Sequence, residues 1–172
     1  SETVHLLNPA NGWLQNFNST PFSAAGNHSP DPSAFPAYMA PDPENFRGLN
    51  AVRVLGAEKK YTIEKVIRAG YDRHLTAFEK LVPALVSAFD QQVSYQDTLF
   101  AYLAGPIEIL RRWDFQSSET SVATTLAIEW GQRLLSTIAV RPVDQPRAGM
   151  IEKTDAFLRD ASPAELLDPF WK

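Results

Sequence analysis

The 172-residue sequence contains no cysteine. That excludes a disulfide framework, a thiolate nucleophile and cysteine-bound metal, while leaving the cellular compartment open. An excess of charge of one sign is missing too. Sixteen Lys and Arg against 20 Asp and Glu leave a net charge of −4 and a pI near 5.4, and no basic stripe marks a nucleic-acid partner. No apolar run approaches the roughly 20 residues of a membrane span. The opening "SETVHLLNP" has neither the basic nor the apolar region of a signal peptide. HExxH, CxxC, Walker A and GxGxxG patterns are all absent. Histidine is scarce, and a Ser/His/Asp triad would need one as its base. His5 and His28 have no metal-like spacing, and His74 sits beside a helical apolar face, where a structural boundary role is the expectation.

What is present is a 44% hydrophobic, 21% charged chain, which reads as soluble, globular and long enough for its own core. Seven of the 13 prolines fall in residues 1–45, most of them in and around "SPDPSAFPAYMAPDPENF". Proline removes amide donors and disfavours helix in the residue before it. Residues 1–60 are therefore expected to be an extended, irregular arm. The arm carries Trp13, Phe17, Phe22, Phe35, Tyr38 and Phe46, too many aromatics for a disordered linker, so packing should order it.

Residues 61–172 are expected to form a helical domain of four to six helices. Leu75, Phe78, Leu81, Val82, Leu85 and Phe89 recur at helical spacing, with a kink or break expected at Pro83. "SYQD" at Ser94 to Asp97 reads as a cap opening a helix with Leu99, Leu103, Ile107 and Leu110, kinked at Gly105-Pro106. "SSETS" precedes a helix with Val122, Leu126, Trp130 and Leu134, and "SPAE" at Ser162 to Glu165 is a capping box with proline at the first helical position. No stretch alternates with period two. The fold class is mainly α, a helical domain behind a proline-rich irregular arm.

The most unusual stretch is "GWLQNFNSTPF", Gly12 to Phe22, with three amide side chains, Gln15, Asn16 and Asn18, among tightly spaced aromatics. Buried amides without partners cost a few kcal/mol, and surface loops rarely hold Trp and Phe so closely. The pattern reads as a clamped backbone that aims an amide at something. On the residues alone, the common alternative is an Asx-turn in which Asn18 bonds its own backbone. "NST" and "NHS", at Asn18 and Asn27, match a glycosylation acceptor pattern short enough to recur by chance. Asp42 and Glu44 read as solvated loop charges. Ser1 could serve as a nucleophile through its own amine, but no small flexible residues surround it, and serine often remains at the start of cloned fragments.

From Asn8 the sequence "NPANGWLQNFNSTPF", followed in order by "FPAYM", "FRGLNAVRVL" and "LRRWDFQSSETSVATTLAIEWGQRLL", resembles the large chain of the penicillin acylase family. These N-terminal nucleophile hydrolases cleave amides, including penicillins, acyl-homoserine lactones and acyl lipopeptides. The resemblance spans about Val4 to Leu135. It implies that Asn18 is the asparagine whose amide completes the oxyanion hole. It also implies that Arg53 is the arginine lining the catalytic centre, with Arg47 as its competitor. It implies no cofactor in this stretch. Structural calcium in the parent would draw a ligand from the arm, where Asp31 and Asp42 lie, but the register is lost there and neither is assigned.

The family's nucleophilic serine starts the large chain some 200 residues or more before this motif, and its αββα core is mostly missing. Both chain ends read as cut. The resemblance thus implies an internal segment, inactive alone, of a periplasmic or secreted acylase. Its partners would be the nucleophile-bearing αββα core, the small chain and a small acyl-amide substrate, with no nucleic acid and no membrane span. The alternative is a non-catalytic helical interaction domain that docks through its proline-rich arm.

Overall fold

The computed structural model describes residues 3–93, 98–145 and 147–171. Helix dominates the described residues, and the only strand-like pairing among them is an isolated bridge between His74 and Gln116. The chain forms two compact units. One runs to Asp72 and takes in Val143–Glu152; the other comprises Arg73–Pro142 and resumes at Lys153.

In the first unit the prolines start short helices rather than extended chain. Single 3-10 turns form at Pro21–Ser23, Gly26–His28 and Pro32–Ala34. Pro21 and Pro32 stand in the first turn, where the missing N–H costs nothing, and Thr20 and Asp31 cap them through Phe22 N and Ser33 N. The next helix, α1 (Phe46–Gly56), lies within the stretch expected to be irregular. No proline follows Pro43 until Pro83, and Asn45 caps the helix by accepting from Gly48 N. α2 (Ile63–Gly70) is capped by Thr62 and buries none of its residues, leaving Ile63, Val66 and Ile67 exposed. The buried set of this unit is small: Gln15, Ala25, Gly48, Ala51, Gly149 and Ile151. Arg147 ties the segment together. Its Nη2 donates to Pro36 O and Met39 O at 3.2 and 3.4 Å, and its guanidinium lies 5.1 Å from the centre of the Phe22 ring.

The second unit packs α3 (Phe78–Gln92), α4 (Thr98–Arg111), α5 (Val122–Ala139), most of α6 (Met150–Asp160) and α7 (Pro163–Trp171). Leu85, Ile107, Leu110, Trp130, Leu134 and Phe157 are almost wholly buried. The Trp130 indole, sealed from water, donates to Leu166 O at 2.9 Å, which removes the cost of burying it.

Of the kink or break expected at Pro83, the break does not occur, since α3 runs through it, and α4 also continues through Pro106. Each proline deprives the carbonyl four residues earlier of its donor. Those carbonyls belong to Glu79 and Tyr102, both exposed, so water can replace the lost bond. The capping box forms as the sequence indicates: Ser162 Oγ accepts from Glu165 N, and Glu165 Oε2 accepts from Ser162 N. The cap expected at Ser94–Asp97 lies outside the described residues, as does Ser1.

Candidate functional site

The amides of the "GWLQNFNSTPF" stretch close its backbone onto itself. Gln15 is buried, accepts from Phe17 N at 3.1 Å, and makes long contacts from Nε2 to Ser19 Oγ and Ser23 O. Gln15 N donates to Ala24 O at 2.8 Å. Asn16 Oδ1 accepts from Asn18 N at 3.0 Å, an Asx-turn of the ordinary kind. The Asx-turn here is thus made by Asn16, and the Asn18 side chain is left for another task. Trp13 packs beneath Gly26, where a Cβ would meet the indole at 3.3 Å and Val52 at 3.4 Å. Gly26 also takes a φ of +55°, so both space and backbone call for glycine there.

Asn18 has a φ of +55°, a left-handed conformation that asparagine tolerates better than most residues. Its Oδ1 accepts from Arg47 Nη2 at 3.4 Å. A guanidinium only donates, which fixes the amide orientation and leaves Nδ2 with its two hydrogens. Among the described residues Nδ2 has no protein partner, and Asn18 is exposed. The loop is tied to α1 by Asn45, whose Nδ2 donates to Phe17 O at 3.1 Å and Asn18 O at 3.2 Å.

Arg53, the other residue expected at the site, is engaged elsewhere. Its Nε and Nη2 donate to Asn50 Oδ1 at 3.0 and 2.8 Å, and Nη2 pairs with Asp72 Oδ1 at 2.8 Å. Asn50 Nδ2 also donates to that Asp72 oxygen. The structure brings Arg47 to Asn18 and gathers Arg53, Asn50 and Asp72 into a separate network. The part of Asn45 was not legible in the sequence, because residues 1–60 read as irregular. The available signal was an Asn placed two residues after Pro43, the last proline of the arm, and just before an apolar periodic run.

Among the described residues no three His, Asp or Glu side chains are grouped to hold a metal. Asp31 Oδ1 accepts from Ser33 N at 2.8 Å, a bond that holds its carboxyl below the usual carboxylate range. Glu44 Oε2 is buried without a partner, while its Oε1 accepts from Asn45 N. In the second unit, His74 Nε2 lies 2.7 Å from Glu79 Oε1, and Gln116 Nε2 lies 3.1 Å from Nδ1. Both ring nitrogens are thus engaged, Nε2 with Glu79 and Nδ1 with Gln116, and the Gln116 contact bridges 73–75 to 115–117 alongside the bonds from Leu75 N to Phe115 O and Ser117 N to Arg73 O.

The model of the penicillin amidase family matches residues 1–172. The chain belongs to that family. Penicillin amidases are amidohydrolases, so the chain is that of an acylase-type hydrolase. No solved structure matches it. Among the described residues no helix is long and apolar enough to cross a membrane.

Proposed function

We propose that this penicillin amidase chain supplies the oxyanion donor of an acylase cleaving linear amide C–N bonds, and that Asn18 is that donor. The observation that carries the reading is the Arg47 contact with Asn18 Oδ1, which leaves the Nδ2 hydrogens unspent. When a nucleophile attacks an amide carbon, the C=O π electrons move onto oxygen. A neutral N–H already held in place stabilises that charge without reorganising, and loss of one such donor costs roughly 10²–10³ in rate. Arg47 orients the amide, and its charge also favours the developing anion. Arg53 is retained as a second guanidinium lining the centre, held by Asp72 and Asn50.

In this reading the nucleophile is an N-terminal serine outside the 172 residues, carried on the αββα core that joins this chain and a small chain. The substrates are small acyl amides: penicillins, acyl-homoserine lactones or acyl lipopeptides. The acyl group decides between antibiotic metabolism and quorum quenching, and the acylase acts in the periplasm or outside the cell. Any structural calcium would belong to the parent, with one ligand drawn from the arm that holds Asp31 and Asp42. The chain alone is inactive.

Kinetics of the assembled acylase test this. Asn18→Ala should lower kcat by about 3–4 kcal/mol of transition-state stabilisation with little change in KM. Alanine at a φ of +55° also strains the loop, so Asn18→Gly is the cleaner deletion. Asn18→Asp should be at least as harmful, since it sets a carboxylate against a developing anion. Wild-type kcat in Asn18→Gly would overturn the reading. Turnover of penicillin G or an acyl-homoserine lactone by the purified chain would overturn its inactivity, and loss of that turnover in Ser1→Ala would move the nucleophile to Ser1.

A further inference from the structure

We infer that Asn45 is the positioning residue of the oxyanion site, the group that holds Asn18 in its left-handed conformation and registers it on α1. The inference rests on the reading of Asn18 as the donor, and it concerns a residue 27 positions away in the chain.

The Asn45 side chain is used at both ends. Oδ1 accepts from Gly48 N at 3.0 Å and caps α1. Nδ2 donates to Phe17 O at 3.1 Å and to Asn18 O at 3.2 Å. The partners settle the amide orientation without ambiguity, because two carbonyls only accept and one N–H only donates. The two carbonyls belong to the peptides on either side of the Asn18 Cα, so holding both restrains the φ and ψ of Asn18 and keeps it in the positive-φ region. Asn45 is itself held, since its N–H donates to Glu44 Oε1 at 2.8 Å.

The same helix delivers Arg47 to Asn18 Oδ1. One turn of α1 therefore sets both ends of Asn18, its backbone through Asn45 and its side chain through Arg47. The Asn45 bonds are the shorter ones, and they act on the backbone, where a change in φ would swing the whole amide. Gly48 completes the arrangement, because a Cβ there would run into Glu44 Oε1 and stand 2.9 Å from Ser19 Oγ. A misplacement of about 1 Å in such a group costs on the order of 10²-fold in rate.

The discriminating variant is Asn45→Asp. Aspartate caps a helix as well as asparagine does, but it has no N–H to give and sets a carboxylate against two carbonyls. In the isotope-labelled chain, positive φ brings the Asn18 amide hydrogen close to its Hα and gives a strong intraresidue NOE. The expected result is that this NOE weakens several-fold, to the strength usual at negative φ, with hydrogen-exchange protection of α1 retained. An NOE of wild-type strength in Asn45→Asp overturns the inference. If Asn45→Asp fails to fold, Asn45→Ser, which also caps but is too short to span to the loop, is read in the same way.

In the assembled acylase, Asn45→Asp should lower kcat by roughly 10²-fold at nearly constant KM. The double variant with Asn18→Gly should be no slower than Asn18→Gly alone, because a positioning residue has nothing left to position. Additive losses would overturn the positioning role. If Asn18→Gly keeps wild-type kcat, the oxyanion reading falls, yet the NOE still decides whether Asn45 sets the Asn18 conformation.

Discussion

Arg47 Nη2 reaches Asn18 Oδ1 at 3.4 Å across 29 residues of chain, while Arg53, six residues further along α1, turns to Asn50 and Asp72. Six residues at 100° each place the two side chains about 120° apart around the helix. One helix therefore presents one arginine to the loop and the other to a different neighbour. Arg47→Gln should lower kcat of the assembled acylase more than Arg53→Gln does. The Arg53–Asp72 pair is partly exposed, and surface pairs of this kind contribute about 0–1 kcal/mol to stability. Paired kinetics on the two variants check this, and the reverse order would give the role of orienting Asn18 to Arg53.

Gly48→Ala should destabilise the first unit. The added Cβ collides with the Glu44 carboxylate and crowds Ser19 Oγ, and overpacking of this kind costs about 1–3 kcal/mol. Gly56→Ala at the far end of the same helix meets nothing within 4 Å and should stabilise by about 0.4–1 kcal/mol. Chemical denaturation of the two variants should therefore give shifts of opposite sign.

Ser162→Ala removes the hydroxyl that accepts from Glu165 N and donates to Glu165 Oε2. Loss of an N-cap costs roughly 1 kcal/mol, and the midpoint of thermal unfolding should fall accordingly. Ser162→Asp keeps an acceptor at the cap and should recover part of the loss, despite its carboxylate facing Glu165.

Acid should weaken the second unit through two carboxylates. Glu165 is held below its ordinary value of 4.5, first by the Ser162 backbone N–H, then by the Ser162 hydroxyl and by Arg141. Asp90 is held below its ordinary value of 3.8 by the hydrogen bond from Arg111. A carboxylate with a lowered folded pKa binds protons more readily when unfolded. Its contribution is complete above the unfolded value and is lost as pH falls through the folded one. Unfolding free energy should thus change little from these groups between pH 7 and about 5 and decline below about pH 4.5. Arg111→Gln should flatten the Asp90 part of that decline; an unaltered acid profile in this variant would remove Asp90 from the account.

Much of the helical unit was legible from spacing alone. The buried face of α3, with Leu81, Val82, Leu85 and Phe89, and the Ser162–Glu165 capping box follow from local rules, because a helix satisfies its own backbone and buries one stripe. Pro83 shows the limit of those rules. It breaks nothing, since the carbonyl it orphans belongs to an exposed residue and buried neighbours hold the turns on either side. The proline count before residue 45 was legible as irregular backbone, but it concealed α1 and the prolines that open the 3-10 turns.

By itself the sequence determined that Asn18 lies in an amide-rich turn, through the spacing of Gln15, Asn16 and Asn18, because Asx contacts span two residues and need no tertiary structure. The tertiary structure alone decided what the amide faces. Which arginine meets Asn18, and that Asn45 holds its backbone, depend on how α1 packs against a loop 27 to 29 residues away. Contacts at that separation are set by packing, and a rotation of α1 by a single residue would turn Arg47 about 100° away from the loop.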